Sequence, residues 1–153
     1  MTMPIEQQYY QSANAYYQGA TLLMKPPDTG AQPNPLLVQP SVTCAALSLK
    51  LYLKSLLALE GGDREDAFTN IADLYRALSG GQKDALLGKF DEMSNTKMSS
   101  PELISHLEAL DNAFVRWRYV HEEDARSVNL EDLEEMILAV KATICSLKPE
   151  WQA

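Results

Sequence analysis

Apolar residues recur at three- and four-residue steps through most of this chain, and no stretch shows the strict alternation of a half-buried strand. The first such stretch predicts a helix from about Ile5 to Met24. Tyr9, Ala13, Tyr16, Ala20 and Leu23 form its stripe, flanked by Tyr10, Tyr17 and Met24. A line of tyrosines buries rings while keeping hydroxyls near water, which suits core packing at an edge or a subunit contact. Five of the eight prolines then fall between Lys25 and Pro40, so an extended connection is expected there.

A second helix is predicted from about Val42 to Glu60, capped by Ser41 and stopped at Gly61-Gly62. Leu49, Tyr52, Leu53, Leu56 and Leu57 make one face and Leu47, Leu51 and Ala58 another. A helix apolar on two faces belongs at the centre of a bundle. Ile71, Leu74, Tyr75 and Leu78 mark a short helix ended by Ser79-Gly80-Gly81, and Leu86, Leu87 and Phe90 mark another over about Gln82–Met93. Ser100-Pro101 reads as a cap followed by proline at the first helical position. From there Leu103, Leu107, Leu110, Phe114 and Trp117 carry a helix to about Glu123, with His121 on the same line. The last helix opens at Asn129 with acidic residues in its first turns, where the helix dipole favours them. Its stripe is Leu130, Leu133, Ile137, Val140, Ile144 and Leu147, and Lys148-Pro149 ends it. The expected fold is therefore all-α, an antiparallel bundle of about five helices plus a short extra one. It would form a single domain over 1–153, centred on the second, Ser100–Glu123 and final helices.

Thirteen basic and 21 acidic residues give a formal charge of −8, which repels nucleic acid and anionic lipid over the bulk surface. No basic region followed by an apolar run opens the chain, and Leu47–Leu59 is broken by Lys50 and Lys54. Neither a secretory leader nor a membrane span is expected, and the cytoplasm is the default location. Cys44 and Cys145 sit in helical apolar patterns without a CxxC neighbour and read as buried small residues.

Common active-site patterns are missing. There is no GxxxxGK[ST] or GxGxxG loop and no HExxH, and neither His106 nor His121 follows a glutamate by three residues. Glu122-Glu123-Asp124 reads as a solvated helix end rather than a metal site, so no metal and no cofactor are expected. The dense polar-aromatic stretch is Phe114–Glu123. Arg116, Arg118, His121, Trp117 and Tyr119 together could hold a phosphate, stack a base or move a proton. The packing alternative has Trp117 and Tyr119 buried and Arg118 paired with Glu122.

Cys44–Gly61, with its run Lys50-Leu51-Tyr52-Leu53-Lys54 ending in a glycine-bearing turn, resembles the second helix of HEPN domains (higher eukaryotes and prokaryotes nucleotide-binding). Asn70–Leu78 is similar to a following leucine-rich segment of that family, and Phe114-x-x-Trp117-Arg118-Tyr119 with Glu122 is similar to its small stand-alone members. These segments cover most of Ser41–Glu123. The resemblance implies a dimeric helical bundle. In active members it implies a metal-independent endoribonuclease with an arginine four to six residues before a histidine, here Arg116 and His121.

Three functional expectations follow. The first is a non-catalytic module that binds nucleotide, RNA or a protein partner through Arg118, Trp117, Tyr119 and Glu122. The second is a ribonuclease in which Arg116 steadies the scissile phosphate and His121 moves a proton. The third is a purely structural helical subunit. The acidic charge favours the first, as does Trp117 where a polar residue often follows the catalytic arginine. So does helix geometry, because five residues advance about 500° and leave Arg116 and His121 some 140° apart on an unbroken helix.

Overall fold

Two long helices, α1 (Ile5–Leu23) and α2 (Val38–Ala58), lie antiparallel and form the most extensive packing among the described residues. The computed structural model describes residues 2–24, 35–61, 70–94, 98–119 and 130–151; within these, the side chains of 35, 94, 113–119, 130 and 131 lie outside the description. The remaining helices are α3 (Ile71–Ala77), α4 (Gly80–Ser94), α5 (Ser100–Tyr119) and α6 (Leu130–Leu147), with one-turn 3-10 helices at Pro35–Leu37 and Pro149–Trp151. The architecture is all-α, with no strand among the described residues.

α2 is the hub. It packs on α1, α6, α3 and α5, while α4 lies on α6 and α3 on α5. Leu49 and Leu53 of α2 meet Tyr75, Leu86, Phe90, Leu107 and Val140 where five helices converge, all nearly solvent-free. The expected centre of the bundle omitted α1, and the α1–α2 seam corrects that.

Three serines build this seam. The hydroxyl of Ser41 donates to the Ala20 carbonyl at 2.9 Å, that of Ser48 to Ala13 at 2.8 Å and that of Ser55 to Glu6 at 2.7 Å. The donors advance by seven residues as the acceptors retreat by seven, which is the register of two antiparallel helices in continuous contact. A serine hydroxyl reaches the neighbouring backbone only where no larger side chain holds the helices apart, and Ala13, Ala20, Ala45 and Ala46 are all buried nearby. Between these rungs the Tyr52 hydroxyl donates to Asn14 Oδ1, and the Tyr10 and Tyr52 rings sit 5.7 Å apart.

Several sequence expectations shift. The buried line of α1 is Tyr10, Ala13 and Ala20, with Tyr17 packed beside it; Tyr16 is 41% exposed and Tyr9 half-buried under the Lys54 ammonium. The serine register rotates α1 about one residue from the stripe expected through Tyr9 and Tyr16. α2 begins at Val38, so Val38-Gln39-Pro40 is helical rather than extended. Proline is tolerated in the first turn because the amide it lacks would have no intrahelical acceptor. Ser41 is then a seam residue inside the helix, not its cap. This earlier start gives α2 21 residues with few charges, long and apolar enough by composition to cross a membrane, contrary to expectation. Most of it is buried against its neighbours. Its C-terminal end follows expectation, with Gly61 at φ +76°, a left-handed conformation that favours glycine.

Gly80-Gly81 opens α4 rather than stopping α3. Leu78 turns extended at ψ 151° and ends α3, while Ser79 Oγ accepts from the Gln82 amide and Ser79 O from the Lys83 amide. Ser99, not Ser100, caps α5: its carbonyl accepts from the Leu103 amide and its hydroxyl lies 3.4 Å from the Glu102 amide. Ser100 Oγ instead pairs with the Tyr75 hydroxyl at 2.6 Å. In α6, Leu133, Ile137, Val140 and Ile144 are buried as the periodicity requires, but Leu147 is half exposed at the helix end. Cys145 is buried and Cys44 half-buried, both as free thiols.

Candidate functional site

The expected site stands on the C-terminal half of α5. Leu103, Leu107 and Leu110 bury one face of this helix. Asp111, one residue further on, accepts from the Ile71 amide at 2.9 Å through Oδ1 and from the Ala72 amide at 3.0 Å through Oδ2. Asn70 Oδ1 accepts from the Asp73 amide at 2.9 Å, so two side chains cap the first three amides of α3. A carboxylate at this end of a helix also meets the positive pole of its dipole. Arg76 of α3 reaches Asp73 on its own helix and Glu108 on α5, an exposed pair of contacts that adds little beyond alignment. These links fix the rotation of α5 just before the arginine-bearing segment begins.

α5 is helical through Tyr119, which sets the register of the site residues. Trp117 lies seven residues beyond Leu110 and so falls near the buried line, as does Arg118, eleven beyond Leu107. Arg116, nine beyond Leu107, falls on the opposite side at about 180°, and Tyr119 lies one turn from it. The described backbone thus separates Arg116 from Arg118 and brings Arg116 close to Tyr119. The expected Arg118–Glu122 pairing, His121, Glu122 and the acidic run Glu122-Glu123-Asp124 lie outside the described residues. His106, the other histidine, is exposed on α5.

Away from α5, polar side chains meet at the α1–α2–α6 junction. The Tyr10 hydroxyl lies 3.3 Å from Cys145 Sγ, and the Tyr17 hydroxyl donates to Glu134 at 2.9 Å. The Trp151 ring packs 5.2 Å from that of Tyr10. Burial first, then the hydrogen bond to Cys145, pushes the Tyr10 phenol up to about 12. Burial and then Glu134 raise Tyr17 to about 12 as well, and burial raises Tyr52. Phenols held neutral in this way brace helices; they are poor proton carriers near neutral pH. Among the described residues no three His, Cys, Asp or Glu side chains converge as a metal-binding group.

One polar residue passed over by the sequence reading is Gln82. It occupies the buried line of α4, four residues before Leu86 and eight before Phe90, and is 5% exposed. A polar residue at a core position of a regular stripe was the available signal, hidden by reading Gly80-Gly81 as a stop. Compared with known proteins, the chain matches no family model, no curated protein and no solved structure.

Proposed function

We propose that this chain is a HEPN-like binding module that takes RNA or a nucleotide at the end of α5, without catalysis. The observation that supports this is the helical register through Tyr119. It sets the Arg116 and Tyr119 positions one turn apart on the side of α5 opposite the Leu107 position, and these are residue types that hold a phosphate and stack on a base. Trp117 and Arg118 occupy positions near the buried line of the helix, and Glu122 borders them in sequence. The module works without a metal or cofactor, as a two-fold dimer in the cytoplasm.

Fluorescence anisotropy with labelled single-stranded RNA, and with labelled nucleotides, tests the reading on the full chain. Saturable binding that falls steeply with salt, and weakens about tenfold in Arg116→Ala, is the expected result. The reading fails if neither probe binds, or if Arg116→Ala binds as wild type. A pull-down that retains one specific protein would then move the occupant to a protein partner.

The Arg116-x4-His121 spacing supports a second reading, metal-independent RNA cleavage. It predicts cleavage that survives EDTA and falls by roughly 10² or more in His121→Ala, with His106→Ala unchanged. RNA left intact by the wild-type protein removes it.

A further inference from the structure

α1 carries two heptad stripes offset by one residue. The first, Tyr10, Ala13, Tyr17 and Ala20, is turned to the core beside the serine rungs of α2. The second is Ile5, Tyr9, Ser12, Tyr16, Gly19 and Leu23, which alternates four- and three-residue steps over the whole helix. The core does not cover it. Ile5 is 39% and Tyr16 41% exposed, Ser12 is exposed, and Tyr9, Gly19 and Leu23 are half-buried. We propose that this second stripe packs, antiparallel about a two-fold axis, on the same stripe of a second copy, which rests on the two-fold dimer of the reading above and names its surface.

Side-chain size carries the argument. At seven-residue spacing the stripe divides into Tyr9, Tyr16 and Leu23, and Ile5, Ser12 and Gly19. Antiparallel pairing sets each member of one group against a member of the other. Tyr9 then meets the partner's Gly19, Tyr16 the partner's Ser12 and Ile5 the partner's Leu23, and symmetry repeats the three contacts. Both rings therefore fall on the two smallest residues of the stripe. A Cβ built on Gly19 would meet nothing within 4 Å among the described residues, so the space for a ring is open. Parallel pairing would instead set Tyr9 on the partner's Tyr9 and leave gaps at Ser12 and Gly19.

Charge selects the same surface and the same direction. The chain carries −8, so two copies repel each other over most approaches. Of the 19 residues of α1, only Glu6 is charged. Antiparallel pairing puts the two Glu6 residues at opposite ends of the seam, about 24 Å apart along it and beyond the screening length at physiological salt. Parallel pairing would put them side by side. The occupant must present bulky and small residues in the complementary order and bring little charge. A second α1, reversed, has both.

Sedimentation equilibrium and disulfide trapping of the full chain test this. Gly19→Leu fills the space that the Tyr9 ring would enter and should raise the dimer dissociation constant at least about tenfold. The same change replaces a glycine at an open helical position, so at monomer dilution it should raise the urea midpoint, which separates lost association from lost folding. For the pairing, Ile5→Cys and Leu23→Cys chains are oxidised singly and as a mixture, with wild type giving the background from Cys44 and Cys145. The mixture should form a linked dimer and neither chain alone. Residue 5 and its counterpart would lie about 27 Å apart, against a disulfide limit of about 7 Å between Cα atoms. Linkage of either chain alone, or none in the mixture, overturns the pairing. A wild-type dimer indifferent to Gly19→Leu overturns the surface and leaves the dimer standing. A wild-type monomer overturns both, while RNA binding at α5 keeps its own test.

Discussion

The hydroxyl of Ser48 donates to the backbone carbonyl of Ala13 at 2.8 Å across the α1–α2 seam, and neither residue is exposed to solvent. The Ala13 carbonyl already belongs to the hydrogen-bond ladder of α1, so the serine adds a second donor to a satisfied acceptor. The bond matters as much for spacing as for energy, because it exists only at close approach. Ser48→Ala keeps the small volume and should cost about 1 kcal/mol in urea unfolding. Ser48→Leu forces the helices apart and should cost roughly 2 kcal/mol or more, because overpacking adds to the lost bond. Equal costs for the two would mean that the seam is not closely packed.

Asp111 ties α3 to α5 through two amides that would otherwise end a helix uncapped. Asp111→Ala should therefore lower stability by about 2 kcal/mol, at the upper end for a helix cap because two charge-assisted bonds are lost. Urea unfolding measures the total. Hydrogen exchange should place the loss of protection first in Ile71–Ala77; unchanged exchange there would show that α3 is held by its apolar face alone.

Alkaline pH should unfold the protein through its buried phenols. Tyr10 and Tyr17 are raised to about 12 in the folded chain from an ordinary value near 10. The folded state therefore holds more protons than the unfolded state between these values. Stability is complete below pH 10 and falls as pH rises from about 10 toward 12. Phenolate absorbance at 295 nm should show a group of tyrosines that ionise only with unfolding, detected by far-UV circular dichroism. Full ionisation of all seven tyrosines by pH 11 with helicity intact would contradict this.

Self-association is expected as a two-fold dimer. Tyr16, 41% exposed, and Tyr9, half-buried one heptad earlier, give α1 an aromatic outer line that the chain itself leaves uncovered at Tyr16. Light scattering should give about twice the 17.0 kDa chain mass, reduced toward monomer by Tyr16→Glu. A monomer at high micromolar concentration would exclude it.

The all-α architecture was legible because apolar periodicity is a direct consequence of burying one side of a helix. Leu133, Ile137, Val140 and Ile144 show this, as do Leu103, Leu107 and Leu110. The errors cluster where periodicity is silent. Pro40 reads as a breaker, yet position within the first turn decides its effect. Gly80-Gly81 reads as a stop, yet Ser79 makes it a start. Tyr9 and Tyr10 are adjacent and equally apolar, so only the partner helix decides which is buried. Ser41, Ser48 and Ser55 stood at heptad spacing in the sequence, but a polar residue in an apolar run does not announce whether it bonds its own helix or the next. The Arg116–Tyr119 segment was legible as a concentration of basic and aromatic residues, and helical phase as a reason to separate Arg116 from His121. The burial of Gln82 was not, since Gly80-Gly81 reads as a stop rather than as the opening of α4.

The serine rungs also bear on the order in which the chain can fold. They join residues 21, 35 and 49 positions apart, so each rung encloses the one before it. The entropy of closing a loop rises only slowly with its length, and each rung already formed shortens the free loop left for the next to nearly one heptad per helix. The hairpin can therefore zip from the Ser41–Ala20 end outward, with no long-range search beyond the first closure. Substitutions at Ser41 should then slow folding, whereas those at Ser55 should chiefly speed unfolding. Because α1 precedes α2 in the chain and α6 follows it, the apolar face of α2 gains cover from a segment already made, before α6 exists to bury the rest.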